Sequence, residues 1–394
     1  MQKIENPAHW DVLIVGGGII GSATAYCLMQ REPALKVAVI EPDPTFSRAS
    51  TTLSLANVRV QFSLKENIQI SQYTLRVLKT FNQDTAVEDR TFDVSFKPEG
   101  NLFLVDPASE LAARRSFELQ KQLGCPVEWW TPAEIQTRFP MQICGDWSGA
   151  TFGSEDGHLD AQAFLNGLRS KAAALGARLI KDEVVEILTE SKRVKGVRLA
   201  SGSVLFSPRV VNCAGAWASK VALTAGIRLP IEPVKRQVFV FDPADKPGRP
   251  LPLIFLPSGL YFRSETGGWI VIGKSLNEDP VGFDFTWSEK RFQEVIWPEL
   301  AEAVPSFERL KLIRGWAGLY AVNRLDSNAI LGEWPELRGF FLANGFSGHG
   351  LQQAPAVGRY ISELVTESPP VLDLSIFRPE RVLENRPVGE AGIV

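Results

Sequence analysis

Near its N-terminus the chain reads Asp11-Val-Leu-Ile-Val-Gly16, then Gly17-Gly18-Ile19-Ile20-Gly21, then Ser22-Ala-Thr-Ala-Tyr-Cys-Leu-Met-Gln-Arg31. The short β-branched apolar run reads as a strand buried on both faces. The residues after the glycines read as a helix. GxGxxG therefore falls on a strand-to-helix turn, where each glycine has its own task. Gly16 permits the tight turn, Gly18 lets backbone approach a pyrophosphate, and Gly21 lets helix and strand pack closely. The helix start, at Ile19 and Ile20, turns unpaired N–H groups and a partial positive charge toward the phosphates. A second apolar run, Lys36–Ile40, ends in Glu41, 20 residues past Gly21. A carboxylate there accepts from ribose hydroxyls and disfavours a 2′-phosphate, so the loop suits FAD or NAD rather than NADP. The motif alone leaves those two open.

The 394 residues suggest two domains, or three. A net charge near −3 gives no basic footprint for nucleic acid. Four scattered cysteines lack a CxxC pair and read as buried small side chains in a reducing compartment. Three histidines make a zinc centre an unattractive reading, and no metal is expected. No apolar run reaches the ~18 residues of a membrane-spanning helix, and Met1–Trp10 lacks the apolar core of a signal peptide. The expectation is a soluble, cytoplasmic protein without internal repeats or low-complexity tracts.

The segment after Glu41 reads Pro42-Asp-Pro-Thr-Phe-Ser-Arg48-Ala49-Ser50-Thr51-Thr52, and its hydroxyls and amides suit a pyrophosphate and ribityl chain. Gly157-His-Leu-Asp160 precedes a helical pattern with Asp160 as its N-cap. Ala177–Ile180 and Glu183–Leu188, which includes Val184 and Val185, read as strands, and Arg193–Leu199 as a hairpin turn between strands. Arg209-Val-Val-Asn-Cys213-Ala214-Gly215-Ala-Trp217-Ala218 is a buried strand ending in small residues before a helix start. Residues 66–84 and 106–123 read as helices, and Gln237–Phe241, Leu253–Leu256, Leu260–Arg263 and Trp269–Ile272 as strands. Asn344-Gly345-Phe346-Ser347-Gly348-His349-Gly350-Leu351-Gln352-Gln353 leads into a helix, which Pro355 requires to start close to Gly350.

In order, GGGIIG, Glu41, RASTT, GHLD, VVNCAGAW and GFSGHG resemble the D-amino-acid oxidase, glycine oxidase and sarcosine oxidase superfamily of FAD-dependent oxidoreductases (the DAO family) over nearly the whole chain. STTLSLANVRVQFSLKENIQIS and GFSGHGLQQAP most resemble the branch of FAD-dependent oxidoreductase domain-containing protein 1 and dimethylglycine dehydrogenase-like proteins. The resemblance implies an α/β fold: a Rossmann-like, glutathione-reductase-type FAD-binding domain with an inserted substrate domain on a mostly antiparallel sheet with helices. It places the FAD-binding domain at 1–85, 147–225 and 325–394 and the substrate-binding domain at 86–146 and 226–324.

The same resemblance implies FAD as cofactor and hydride transfer from a substrate carbon to flavin N5, with oxidation of an amine or amino acid of secondary, N-methyl or D type at its C–N bond. It turns the start of the helix after Gly345–Gly350 toward the flavin, where N–H groups stabilise developing negative charge. Sarcosine-oxidase-like members have a lysine after the SGHGF motif that grips the substrate carboxylate; Gln352 stands here. Several oxidases carry a lysine that promotes reaction with oxygen where Val271 falls, and Lys274 would not sit equivalently. Some members attach flavin through a cysteine near the position of Gly318, so FAD is expected to bind non-covalently.

Arg59 and Arg263 are the candidates to replace the missing carboxylate grip, with Tyr261 and Tyr320 as pocket walls and His349 near the flavin. The substrate is a small molecule, and the electron acceptor stays open among oxygen, a quinone and an electron-transfer protein. Two readings result: a dehydrogenase or slow oxidase, and a flavoprotein with structural FAD that acts through a protein partner.

Overall fold

The computed structural model describes residues 9–139 and 141–390. Most of the N-terminal stretch judged for a leader thus lies outside the described residues. The chain runs β1 (Val12–Val15), α1 (Ile19–Arg31), β2 (Val37–Ile40), β3 (Asn57–Val58), α2 (Lys65–Asp84), β4 (Asn101–Val105), β5 (Val127–Trp130), β6 (Gly149–Gly153) and β7 (Gly157–His158). After a helix over Ala161–Ala174 come β8 (Arg178–Ile180), β9 (Val184–Glu190), β10 (Arg193–Leu199), β11 (Val204–Phe206) and β12 (Val210–Asn212). The remainder holds β13 (Ile231–Pro243), β14 (Leu253–Phe255), β15 (Leu260–Glu265), β16 (Trp269–Lys274), β17 (Leu310–Asn323), β18 (Ile330–Glu333), β19 (Phe340–Asn344) and the helix Gly350–Val365.

Two large sheets organise these elements into a mixed α/β fold. The six-stranded sheet has the order β18-β19-β12-β1-β2-β8. From β19 to β8 its strands are parallel, and only β18 runs antiparallel. Strands β1 and β2 are buried along their whole length, as apolar runs in a covered parallel sheet must be. Parallel strands bring the chain back to the same edge each time, so the loops after β1, β12 and β19 share one end of the sheet. That is where open α/β sheets bind ligands. Helix α1 and the helix Gly350–Val365 leave that edge and pack against each other. A Cβ on Gly358 would lie 2.6 Å from the carbonyl carbon of Ala23, so glycine permits this approach.

The eight-stranded sheet has the order β17-β13-β16-β15-β14-β4-β6-β5 and is antiparallel apart from β14 with β4. Cross-strand partners share a face, and side chains alternate along each strand. Phe239 pairs with Ile272, Ile272 with Phe262, Phe262 with Ile254 and Ile254 with Leu102. All five belong to one apolar core. Their neighbours along each strand therefore line the other face.

Asp160 caps its helix as expected, accepting from Gln162 N at 2.8 Å and Ala163 N at 2.9 Å. One expectation is corrected. Arg193–Leu199 is itself strand β10, paired on both sides, and the turn lies at Ser191–Lys192, where both residues have positive φ. Gly196 marks close strand contact rather than a turn: a Cβ there would lie 2.0 Å from the Leu205 carbonyl oxygen. The helix begins at Gly350 as Pro355 requires, and Pro355, expected near the first turn, is its sixth residue.

Candidate functional site

The glycine turn after β1 has the geometry its sequence demands. Gly16 has φ +97°, and a Cβ on it would lie 2.6 Å from the Cys213 carbonyl oxygen at the end of β12. A Cβ on Gly21 would lie 1.9 Å from the Gly16 oxygen. Gly18 differs: the only atom within 4 Å of its hypothetical Cβ is Thr51 Oγ1, at 3.6 Å. Gly18 is also the N-cap of α1, which has no capping side chain and no acid in its first turn. Ile19 and Ile20 are buried behind it, and Ile19 N donates to Thr51 Oγ1 at 3.2 Å. A helix N-terminus with no acid and no side chain from its own N-cap residue, beside an open glycine, is a fitting receptor for a pyrophosphate, with Thr51 holding the Ile19 amide.

Glu41 sits across this turn. Its Oε2 accepts from Gly17 N and its Oε1 from Asp43 N, both at 2.9 Å. The carboxylate is thereby fixed, with a lone pair left on each oxygen for ribose hydroxyls. Burial raises its pKa, against the lowering effect of these two amides. Pro42 and Arg48 are exposed and Ala49 is half-buried. The hydroxyls that follow are anchored: Ser50 Oγ donates to Leu319 O at 2.6 Å and Thr52 Oγ1 to Phe46 O at 2.6 Å.

On the β12 side Cys213 is buried and its thiol is pushed up to about 12 by burial. Ala214 is half-buried, and Gly215, at φ +52°, has open space around it. Trp217 packs against Phe283 with ring centroids 5.2 Å apart and planes tilted by 33°. Val184 is buried and Val185 exposed, both on the three-stranded β9–β11 sheet rather than on the six-stranded one.

The C-terminal loop closes the other end. Gly345, Ser347 and Gly348 all have positive φ, and Ser347 is held there as Asn323 N donates to its Oγ at 3.0 Å. A Cβ on Gly348 would lie 2.4 Å from the Tyr320 ring, and one on Gly350 would lie 3.3 Å from Phe346. Phe346 and Leu351 are buried. The helix from Gly350 also lacks a capping side chain and a first-turn acid. Two helix ends whose N-cap residues supply no capping side chain, an open glycine and a tethered carboxylate fit an extended dinucleotide. Gly16–Gly21, Glu41, Ser50–Thr52 and Gly345–Leu351 can hold it.

The open face of the eight-stranded sheet supplies the rest. Gly318 pairs with Arg236, Trp316 with Val238, Val238 with Gly273, Gly273 with Tyr261, Tyr261 with Phe255 and Phe255 with Phe103. The chain from Leu53 to Phe62 lies over this face. Trp316 Nε1 donates to Leu53 O at 2.9 Å, and a Cβ on Gly318 would lie 3.1 Å from that of Leu53. Val271, with Val238 and Val240, packs against Leu55, and Lys274 is ion-paired with Glu299.

Arg59 is the centre of the arrangement. It is only 3% exposed, and its guanidinium carbon lies 4.6 Å from the Phe62 ring, 4.9 Å from Phe103 and 5.5 Å from Phe255. Its Nη2 lies 3.1 Å from His349 Nε2. Since arginine only donates, Nε2 accepts and the imidazole proton sits on Nδ1. Burial, and then the Arg59 charge, push His349 down to about 3, so the ring is neutral. Arg59 Nη1 is buried without a hydrogen-bond partner. Burial lowers the Arg59 pKa only to about 10, so it stays a cation at neutral pH.

The structure brings Arg59, Tyr320, His349 and Gln352 together, but assigns two candidates differently. Gln352 is buried, and its Oε1 accepts the Arg59 backbone N–H at 2.8 Å; it holds the arginine from behind. Arg263 shares the open face with Tyr261, yet its Nη1 is paired with Glu265 Oε2 at 3.0 Å. Its charge is thus matched locally, while its Nε is buried without a hydrogen-bond partner. Tyr261 is buried across from Gly273, which has no side chain to oppose the ring, and burial raises its phenol pKa.

Sequence reasoning missed Phe62, Phe103 and Phe255, which only register brings around Arg59. It also missed Arg236, which ion-pairs with Asp279 and lies 5.4 Å from the Tyr320 ring centroid. Asp156 was missed too: it is fully buried and accepts from Val60 N at 2.8 Å and Gln61 Nε2 at 2.9 Å. Alternation in Lys235-Arg-Gln-Val-Phe-Val-Phe241 was the available signal for Arg236.

Among the described residues no group of His, Cys, Asp or Glu side chains could hold a metal, and no helix is long and apolar enough to cross a membrane.

The model of the FAD dependent oxidoreductase (DAO) family matches residues 11–364. FAD-dependent oxidoreductase domain-containing protein 1 of Xenopus laevis is 38% identical, over 98% of this chain and 85% of that protein. Glycine oxidase of Geobacillus kaustophilus is 27% identical, over 98% of this chain and 99% of the enzyme. Among solved structures, L-proline dehydrogenase from P. horikoshii superimposes with a TM-score of 0.86 and 29% identity, covering 97% of this chain and 100% of that one.

Proposed function

The chain belongs to the DAO family of FAD-dependent oxidoreductases, and on that premise we propose that it oxidises the C–N bond of a small amino acid whose carboxylate is held by Arg59. The observation that carries this reading is the buried Arg59 cation with an unpartnered Nη1 inside an aromatic cage. A desolvated guanidinium with an unused N–H is half of a carboxylate-binding fork. His349, neutral and accepting on Nε2, takes one edge of that fork and leaves the other for a ligand. Phe103, Phe255, Tyr261 and Tyr320 supply apolar wall for the rest of the substrate. FAD, when bound, accepts the hydride that leaves the substrate carbon.

The names of two relatives support the substrate class. Glycine carries a primary and L-proline a secondary amine, and both carry a carboxylate. Val271, in the place where the resemblance puts an oxygen-promoting lysine, supports a dehydrogenase or slow oxidase. We read the six-stranded sheet as the cofactor side and the open face of the eight-stranded sheet as the substrate side.

The test is anaerobic bleaching of the FAD-loaded protein. N-methylglycine, glycine and D- and L-proline are compared with the corresponding amides. Reduction by one or more acids but not by their amides is the expected result. Equal reduction by acid and amide would remove Arg59 from substrate binding. If only dithionite bleaches the flavin, a structural cofactor is the better account.

A further inference from the structure

The segment that carries Arg59 is pinned by side chains from distant parts of the chain. Between β3 and α2 it runs from Arg59 to Leu64. Gln352 accepts the Arg59 amide, and Asp156 accepts the Val60 amide and the Gln61 side chain. At the far end, Glu390 Oε1 accepts from Ser63 N and Ser63 Oγ, both at 2.5 Å, and Oε2 accepts from Leu64 N at 3.1 Å. Oε2 also accepts from Asn67 Nδ2 at 2.8 Å. Helix α2 has Leu64 as its N-cap and no capping side chain of its own. The Glu390 carboxylate therefore satisfies amides at a helix start and meets the positive end of its dipole.

A buried polar network fixes where Glu390 sits. Val388 N donates to Asp326 Oδ2 at 2.8 Å, and Asn328 Nδ2 donates to Val388 O at 2.8 Å. Asp326 is in turn ion-paired with buried Arg381. Asn67 Nδ2 also donates to Asn328 Oδ1 at 3.0 Å, and Gln353 Nε2 to Asn67 Oδ1 at 3.2 Å. The last described residues are thus tied to α2 and to the turn before β18, and through Asn67 to the C-terminal helix. Among the carboxylates that counter the burial of Arg59, Glu390 has the largest effect.

We propose that Glu390 is a positioning residue for substrate binding: the strap 385–390 delivers a carboxylate that fixes the start of α2, and through Ser63 and Leu64 the Arg59 guanidinium in its cage. Glu390 touches neither substrate nor the Arg59 side chain. The proposal rests on the reading that Arg59 grips the substrate carboxylate.

The experiment uses the FAD-loaded full chain with Glu390→Ala, Glu390→Gln and Glu390→Asp. Benzoate is titrated as a carboxylate probe and benzamide as its neutral counterpart, with dissociation constants read from the flavin absorbance change. Amide hydrogen exchange is followed over residues 57–67. Glu390→Ala weakens benzoate by roughly tenfold, leaves benzamide unchanged and speeds exchange at Ser63 and Leu64. Glu390→Asp restores part of the affinity. Should Glu390→Ala fail to fold, Glu390→Gln, which keeps one acceptor oxygen and loses the charge, gives the same comparison. Faster exchange with unchanged benzoate affinity reduces Glu390 to a helix cap and overturns the proposal alone. Equal weakening of both probes overturns it as well, since a disordered pocket costs both. If the wild-type protein binds benzoate no better than benzamide, the Arg59 reading fails and takes this one with it.

Discussion

The backbone amide of Arg59 donates to the side-chain oxygen of Gln352 at 2.8 Å, with both residues buried. The carbonyl of Gln352 also accepts from Thr74 Oγ1 at 2.6 Å, so the glutamine joins α2, the C-terminal helix and the arginine segment. Gln352→Ala leaves the Arg59 amide without its acceptor in a buried place. A loss of about 1–3 kcal/mol of stability is expected, read from the urea midpoint. Gln352→Glu keeps an acceptor oxygen and loses less on this account. A Gln352→Ala protein as stable as the parent would mean that the contact is dispensable.

Gly18 and Gly21 belong to one motif, and their surroundings predict opposite behaviour. A Cβ at residue 21 would lie 1.9 Å from the Gly16 oxygen, which is backbone and cannot yield cheaply. Gly21→Ala should therefore fail to give stable, FAD-loaded protein. At residue 18 the nearest atom would be 3.6 Å away, an ordinary contact. Gly18→Ala should fold, losing at most about 1 kcal/mol as an N-cap change, while its FAD affinity falls because the methyl stands where phosphate approaches. Thermal melts with and without added FAD separate the two effects. A Gly18→Ala protein that binds FAD as tightly as the parent would remove Gly18 from the phosphate site.

These contrasts show what a sequence can carry. The strand–glycine–helix turn and Glu41 were legible because the constraint is local: turn, cap and acid follow one another along the chain. The C-terminal loop was legible for the same reason. Arg59 was named as a residue without its environment, because Phe103 and Phe255 reach it only through the β4–β14 register. Arg263 was named without its counter-charge, although a signal existed. Glu265, two residues on, shares its strand face and ion-pairs with Arg263 Nη1, although Arg263 Nε stays buried without a partner. Gly196 misled for a different reason, since a glycine that permits strand contact and one that makes a turn look alike in sequence. Asp156 and Glu390 act on amides far away in sequence, and no spacing rule reports such partners.

Asp156 gives stability a pH dependence of its own. Burial raises its carboxyl to about 7 in the folded chain, against an ordinary value of 3.8. Between those values the folded chain holds a proton that the unfolded chain has released. This contribution is therefore present at low pH and is lost as pH rises toward 7. Asp156→Asn keeps an oxygen for the Val60 amide and carries no charge at any pH, though its NH2 faces the Gln61 amide, which also donates to Asn101 O, so the variant starts with a pH-independent loss. The variant should gain on the parent as pH rises from 5 to 8. Guanidinium unfolding midpoints across that range measure it. A constant difference between the two proteins would show that Asp156 does not titrate there.

His349 works in the opposite direction. Its folded pKa is about 3, against 6.5 for an ordinary imidazole, because burial and the Arg59 guanidinium both disfavour its cation. Between those values the unfolded chain binds the extra proton. Stability from this group is complete above about 6.5 and is lost as pH falls toward 3. Buried His158, lowered to about 4, adds a loss of the same sign. His349→Gln keeps an acceptor for Arg59 Nη2 while removing one titration, so its stability should fall less steeply between pH 6.5 and 4.5 than that of the parent. The remaining slope belongs to His158 and the other titrating groups. NMR of the labelled imidazole offers a direct check: a neutral ring protonated on Nδ1 down to pH 5. Protonation of His349 near neutrality would mean that Arg59 does not face it as a cation, and the fork reserved for a carboxylate would lose its orienting partner.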